Sequence, residues 1–131
     1  VALKISLKPG EKIFIGGAVV QNGGDHAELS ILNDVPLLRE KDVLTEQEVQ
    51  TPCGQVYMCV QLMYMDPASL SRYQQQYRAL VDELLARMPD AVGYLAEINN
   101  HLACGRYYQA LKCARKLMEF EATKDHGTQR A

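Results

Sequence analysis

LREKDVLTEQEVQTPCGQVYMCV, residues 38–60, is where the chain changes period. Before this stretch apolar residues alternate with polar ones, the period-two signature of strands. After it they recur at helical spacing. Thr45 and Glu48 fit a capping box. Thr51-Pro52 reads as a second helix start, with proline at the first helical position. The run through Val56, Cys59, Val60 and Met63 is apolar on most sides, so this helix is expected to be buried. The chain therefore reads as α+β. A small antiparallel β module of about five short strands covers residues 1–44, and a bundle of about four helices covers residues 45–131.

Toward the N-terminus, Leu3, Ile5 and Leu7 alternate with Lys4, Ser6 and Lys8, and Pro9-Gly10 marks a turn. Residues 12–15 form a second short strand, Gly16-Gly17 a turn, and residues 18–21 a third strand. Asn22-Gly23-Gly24-Asp25 is the strongest turn signal in the chain. Residues 27–32 follow as a fourth strand, and Asn33-Asp34 turns the chain again. Residues 35–43 can supply a fifth, with Pro36 near its start, where a missing N–H costs least.

Toward the C-terminus, Asp66-Pro67 opens a helix that runs to about Met88. It carries Tyr73, Tyr77, Leu80, Val81, Leu84 and Leu85 at helical spacing. Pro89-Asp90 breaks it. A shorter helix follows from about residue 91 to 103, with Gly105 as its C-cap. The last helix spans residue 107 to about 122, and the polar tail from about 123 is expected to fray.

Composition narrows the functional classes. The chain has 131 residues, 47% of them apolar, enough for one domain or two small modules with a packed core. The formal charge is −2, which gives no global signal for nucleic acid or membrane. Up to residue 44 there are five basic and six acidic residues; beyond it there are nine and ten. Any nucleic-acid site is therefore a local patch. Cys53, Cys59, Cys104 and Cys113 form no CxxC pair and read as buried cytosolic thiols rather than zinc ligands. The chain opens directly in a strand pattern and no apolar run reaches membrane-spanning length, so a cytoplasmic protein is expected.

Catalytic groups are sparse. His26 lies beside a turn, His101 on a helix and His126 in the tail, none with a nucleophile or carboxylate partner in a recognisable pattern. No phosphate-binding glycine loop or nucleophile elbow occurs. Asp82-Glu83 and the pair Glu119 and Glu121 read as solvated helix surfaces. No enzyme, cofactor or metal site is expected. Lys4, Lys8 and Lys12 fall on the polar face of short strands, where lysine also blunts sheet edges. Arg106, Lys112, Arg115 and Lys116 crowd the last helix. They read as a soluble outer face, or else as a second RNA contact or a protein-docking surface.

The opening LKISLKPGEKIFIGG, with AELSILNDVPLLREKDV after it, resembles the small bacterial RNA-binding regulator CsrA over roughly residues 2–44. The matching positions are Lys8, Gly10-Glu11, Ile15-Gly16 and Arg39-Glu40. In that family the first and fifth strands lie together and form the RNA-binding edge. The resemblance thus implies RNA contact by Lys8 and Arg39, widened by Lys4, Lys12 and Lys41. Glu11 and Glu40 read as turn and strand ion-pair partners. One position departs from the pattern: two adjacent basic residues are expected at the end of the first strand, and the first of them is Leu7, which fits the apolar face. CsrA-type sheets are shared between two chains, so the resemblance also implies a homodimer.

ALKISLKPGEKIFIGGAV, the Ile31-Leu32-Asn33-Asp34-Val35-Pro36 stretch and MYMDP together resemble the FlbT family of flagellin regulators, across most of the chain. That resemblance implies post-transcriptional regulation of flagellum assembly. The protein would bind the 5′ untranslated region of flagellin mRNA and promote its repression or degradation, in a pathway with a second small protein, FlaF. The alternative is a protein-interaction module that binds flagellin, FlaF or an export component through the helical half, with indirect effects on mRNA.

Overall fold

The computed structural model describes the backbone of residues 3–130 and the side chains of residues 3–124. The chain divides into two compact units, Val1–Val43 and Leu44–Ala131.

The first unit carries strands β1 (Leu3–Leu7), β2 (Lys12–Ile15), β3 (Ala18–Gln21), β4 (Ala27–Ile31) and β5 (Leu37–Arg39). All pairings are antiparallel, but the strands form two sheets. β1 pairs with β4 as a ribbon, and β2 is the middle strand of β3-β2-β5. Side-chain alternation sends Ile5, Leu7 and Ile13 into one small core, with Ile15, Val20, Leu29, Ile31 and Leu37 packed against it. Leu3 belongs to the same alternating set yet is 54% exposed. It is the last rung of the β1–β4 ribbon, opposite Ile31. Gly16 and Gly17 both have positive φ, 52° and 94°, as a primed two-residue hairpin between β2 and β3 requires.

The fifth strand is shorter than residues 35–43. Its ladder with β2 has three rungs, Ile15 to Leu37, Phe14 to Leu38 and Ile13 to Arg39. Lys12 is the first residue of β2, so the chain beyond Arg39 has little strand left to pair with. It coils into a 3₁₀ turn, Glu40–Asp42. Lys41 therefore sits on that turn rather than in a strand.

The second unit holds helices α1 (Pro52–Met65), α2 (Leu70–Arg87), α3 (Val92–Ala103) and α4 (Tyr107–Arg130). The Thr45 and Glu48 pair closes a short 3₁₀ turn, Glu46–Glu48, in which the Thr45 N–H donates to Glu48 Oε1 at 3.0 Å. The helix proper starts at the second signal, where the Thr51 hydroxyl accepts from the Gly54 N–H at 3.0 Å and Pro52 is the first helical residue. Asp66-Pro67 and Pro89-Asp90 each lead through a 3₁₀ turn into the next helix. Gly105, at φ 72°, ends α3. The Arg106 N–H bonds the His101 carbonyl (2.8 Å) and the Gly105 N–H bonds the Leu102 carbonyl (3.1 Å), the two bonds of a Schellman motif.

α1 packs against α2 and α4, and α3 packs on α4. Val56, Val60, Ile98, Ala114 and Leu117 are fully buried. Among the described residues the buried side-chain polar groups are matched. Gln61 accepts from the Leu44 N–H (2.8 Å) and donates to the Leu44 carbonyl (2.9 Å), clamping the chain to α1. The Tyr73 and Tyr77 hydroxyls donate to Asp66 (2.7 Å) and Asn99 (2.5 Å). Glu121 is buried, unlike the solvated surface residue its sequence context suggests. Its Oε2 accepts from the Cys53 N–H at 3.3 Å, at the start of α1. There a carboxylate accepts from a first-turn N–H and meets the positive end of the helix dipole.

α4 continues past residue 122. The Thr123 hydroxyl bonds back to the Glu119 carbonyl (3.0 Å), and Lys124 bridges both Asp90 carboxylate oxygens at 2.6 Å. The backbone is helical to Arg130. The side chains of the expected frayed tail beyond Lys124, with His126 among them, lie outside the described residues.

Candidate functional site

The five basic residues of the β unit do not form one row. Lys4 stands on β1 opposite Ser30 and is exposed. Lys8 lies just past β1 and is exposed. Lys12 opens β2 opposite Gln21, also exposed. Lys41 is exposed on its 3₁₀ turn. Arg39 ends β5, and its guanidinium reaches back to β1. It donates to the Ser6 carbonyl at 3.3 Å and lies 3.8 Å from Glu11 Oε2.

β1 and β5 are thus in different sheets, and the Arg39 side chain links them. Glu11 serves both sides of that link. Its other oxygen accepts from the Lys8 N–H at 3.0 Å, and its own N–H donates to the Lys8 carbonyl at 3.0 Å. Gly10, at φ 77°, makes that turn. Both members of the Arg39–Glu11 pair are about one-third exposed (35% and 33%), so the pair is of the surface kind, worth about 0–1 kcal/mol. A phosphate that outcompetes Glu11 for Arg39 faces a low barrier. Leu7 is 2% exposed. The position where the CsrA pattern has a basic residue is here part of the core.

Asn22 organises this corner, and sequence reasoning took it only as part of a turn. Its Nδ2 lies 3.0 Å from the Leu7 carbonyl, 3.2 Å from that of Lys8 and 2.6 Å from that of Asp25. Its Oδ1 accepts from the Gly24 N–H at 3.1 Å. Its backbone exchanges bonds with Gly10 (2.7 Å) and Glu11 (2.9 Å). One side chain therefore fixes the end of β1, the Lys8 backbone and the 22–25 loop. The Asn-Gly signal was visible; that the amide reaches 15 residues back along the chain was not.

On the helical unit the four basic residues named from sequence lie on or next to α4. Arg106 Nε donates to His101 Nδ1 at 3.1 Å. The Lys112 ammonium lies 4.9 Å from the centre of the Tyr108 ring. Arg115 Nη2 donates to the Tyr57 hydroxyl at 2.8 Å, and its guanidinium lies 5.1 Å from the same ring's centre. Lys116 is exposed.

Three thiols are buried, Cys53, Cys59 and Cys113, and Cys104 is exposed. Cys59 donates to the Tyr73 carbonyl at 3.1 Å, and burial pushes its thiol up to about 11. Cys113 is raised by burial and by the Glu97 carboxylate 3.6 Å away. Burial, with Cys59 nearby, also raises the Tyr77 phenol. All three shifts suppress the nucleophilic form of the group. Among the described residues no three His, Cys, Asp or Glu side chains cluster as metal ligands, and no helix is long and apolar enough to cross a membrane.

Comparison with known proteins assigns the chain. The sequence family described as flagellar protein FlbT matches residues 3–124. A probable flagellum biosynthesis repressor protein FlbT of Caulobacter sp. (strain K31) is 39% identical over 121 residues, covering 91% of this chain and 92% of the relative. The flagellum biosynthesis repressor protein FlbT of Caulobacter vibrioides (strain ATCC 19089 / CIP 103742 / CB 15) is 37% identical, covering 91% of this chain and 86% of its own length. A third relative, from Bradyrhizobium diazoefficiens, is 40% identical over 92% of this chain and 82% of its own length. No solved structure matches. Identity at this level along nine-tenths of the chain covers both the strands and the helices, and the chain belongs to the flagellar protein FlbT family.

Proposed function

We propose that this protein represses flagellum biosynthesis after transcription. It binds the 5′ untranslated region of flagellin mRNA in the cytoplasm and promotes repression or degradation of the message. The relatives' names support the repressor role. The observation that carries the RNA reading is Arg39, held against Ser6 of β1 and next to the Lys8–Glu11 turn. That places the two basic positions of the CsrA resemblance at one corner, with Lys4, Lys12 and Lys41 exposed on the same small unit. Phosphates would meet the cations, and exposed backbone groups of the strand edges would meet unpaired bases. No catalytic step is needed, because occlusion of the leader or exposure of the message to nucleases suffices. A second copy of the chain, FlaF and flagellin complete the set of partners in this reading.

The test is a titration of the protein against flagellin leader RNA at two salt concentrations, beside a scrambled RNA. Leader-selective binding is expected, weakening steeply with salt by about 0.7 in log K per log salt for each phosphate contacted. Lys8→Ala/Arg39→Ala should cost about tenfold or more. Binding that ignores both sequence and salt would sink the proposal.

One observation favours a second reading, a protein-interaction module. Val49, Met58, Leu62, Ala79 and Leu80 line an apolar groove of about 410 Å³ in the helical unit, with Glu83 also on its wall. A helix of flagellin, FlaF or an export component could lie there. Salt-insensitive protein binding lost on Leu62→Glu, with no leader-selective RNA binding, would establish it in place of the first.

A further inference from the structure

We propose that the cleft where the four helices meet is a binding site for a small carboxylic acid, with Arg78 taking the carboxylate. The cleft lies within the helical unit. It uses neither the cations of the β unit nor the apolar groove lined by Leu62 and Leu80, so it stands apart from both readings above.

The cleft has a volume of about 350 Å³, at the small end of the range for ligand cavities. Its apolar part is Met63 from α1 with Leu102 and Ala103 from α3. α2 supplies Gln74, Tyr77 and Arg78, α3 adds Asn99, and Tyr107, the first residue of α4, completes the lining. Met63 is buried, whereas Gln74, Arg78 and Asn99 are exposed. The floor is therefore apolar and the rim polar.

That rim is a set of donors with one positive charge. The Tyr77 hydroxyl donates to Asn99 Oδ1 at 2.5 Å. Burial, with Cys59 nearby, keeps this phenol protonated. It thus occupies the Asn99 oxygen and leaves the Asn99 amide hydrogens to donate elsewhere. Gln74 offers a second amide and Tyr107 a hydroxyl. No carboxylate lines the cleft. Arg78 differs from the other two arginines of α2. Arg72 lies over the Tyr73 ring and reaches its hydroxyl, and Arg87 pairs with Glu83. Arg78 has no ion-pair or hydrogen-bond partner among the described residues, and Asp82, one turn along the helix, does not bond to it.

Charge balance selects the ligand. One guanidinium matches one negative charge, and the two oxygens of a carboxylate fit its planar fork. A phosphate monoester carries about −1.5 to −2 at pH 7, more than one cation offsets. The apolar floor suits a compact aryl or branched aliphatic body. A neutral ligand would leave Arg78 idle.

The probe is phenylacetate, titrated into the nitrogen-15-labelled full chain and followed by NMR. Phenylacetamide, its neutral near-isostere, and phenyl phosphate are titrated beside it. Saturable shifts are expected at the backbone amides of residues 74–78, 99–103 and 107, and at the side-chain amides of Gln74 and Asn99. The thermal melt should rise with phenylacetate, because the ligand binds only where the four helices are assembled. Phenylacetamide should bind at least about tenfold more weakly. Arg78→Gln should weaken phenylacetate binding about tenfold or more and abolish the rise, with the melt of the free protein unchanged. Arg78→Lys should recover only part of the binding, since an ammonium lacks the fork. Arg87→Gln, an equal loss of charge on the same helix, should stay within about twofold. Equal binding of acid and amide would make this an apolar cleft and overturn the proposal. Tighter binding of phenyl phosphate than of phenylacetate would overturn the carboxylate assignment. Shifts that persist unchanged in Arg78→Gln, or no shift at these residues in the parent, would overturn the site itself. If Arg78→Gln lowers leader RNA binding while phenylacetate shifts nothing, Arg78 belongs to an RNA surface and the proposal is again overturned.

Discussion

Single residues show where the sequence is mute. Glu121 sits in a polar, charged stretch and reads as solvent-facing, because nothing local reveals that its carboxylate meets the Cys53 N–H, 68 positions away. Removing that carboxylate takes away a buried, charge-assisted hydrogen bond at the start of α1. Glu121→Ala is expected to cost about 1–3 kcal/mol of helical-unit stability, measured by urea unfolding, and Glu121→Gln less, since the amide oxygen still accepts. Cys59 gives a pH prediction of definite sign. Its thiol is raised from 9.0 to about 11 by burial, so the folded state holds the proton more tightly than the unfolded chain. The stability this confers is fully present below about pH 9 and is lost as pH rises toward 11. Melts taken between pH 8 and 11 should show that fall, and Cys59→Ala should reduce it. Buried thiols were legible from the apolar helix pattern around them; the exposure of Cys104, beside the Gly105 turn, follows from its place at the end of α3.

Elements were far more legible than individual contacts. The first three strands, the helix starts at Thr51-Pro52 and the Gly105 stop are local signals, and local signals are written in neighbouring residues. What was not legible is how the strands divide. The period-two pattern says which face is apolar and says nothing about which strand lies next to which, so one sheet could not be distinguished from a ribbon plus a three-stranded sheet. Likewise the fifth strand ends where its partner β2 runs out, a fact about pairing and not about residues 40–43. Leu7 ties element to function. It alternates correctly with Ile5 and is 2% exposed. Leu7→Lys, which restores the basic residue of the CsrA pattern, should therefore not improve RNA binding. It places a charge in a small core and forfeits about 1.5–3 kcal/mol of side-chain burial besides. Amide exchange across β1 and β4 should accelerate, and RNA affinity should fall together with it. A gain in affinity with exchange unchanged would mean that β1 tolerates a basic edge after all.

At the scale of the whole molecule the two units differ in how much core each owns. Among the described residues only Ile5, Leu7, Ile13 and Leu38 are buried in the first unit, whereas seventeen apolar residues from Cys53 to Leu117 are buried in the second. A unit of 43 residues is near the size at which a domain needs a metal, a disulfide or a partner to hold it. Its cohesion leans on turn hydrogen bonds such as those of Asn22, which water can replace one at a time. The units are therefore expected to open separately. Native-state hydrogen exchange in low urea should find the strand amides opening at a free energy several-fold smaller than those of α1, which packs against both α2 and α4. Anything that binds only the folded β unit must then raise its protection by RT ln(1 + [L]/Kd), about 2.7 kcal/mol at a hundredfold excess over Kd. Saturating leader RNA should protect residues 3–39 by that amount, and protection confined to α1 and α4 would move the principal RNA contact to the helices. A single cooperative opening of all amides would instead show that the small core of the first unit is supported by the second or by another copy of the chain.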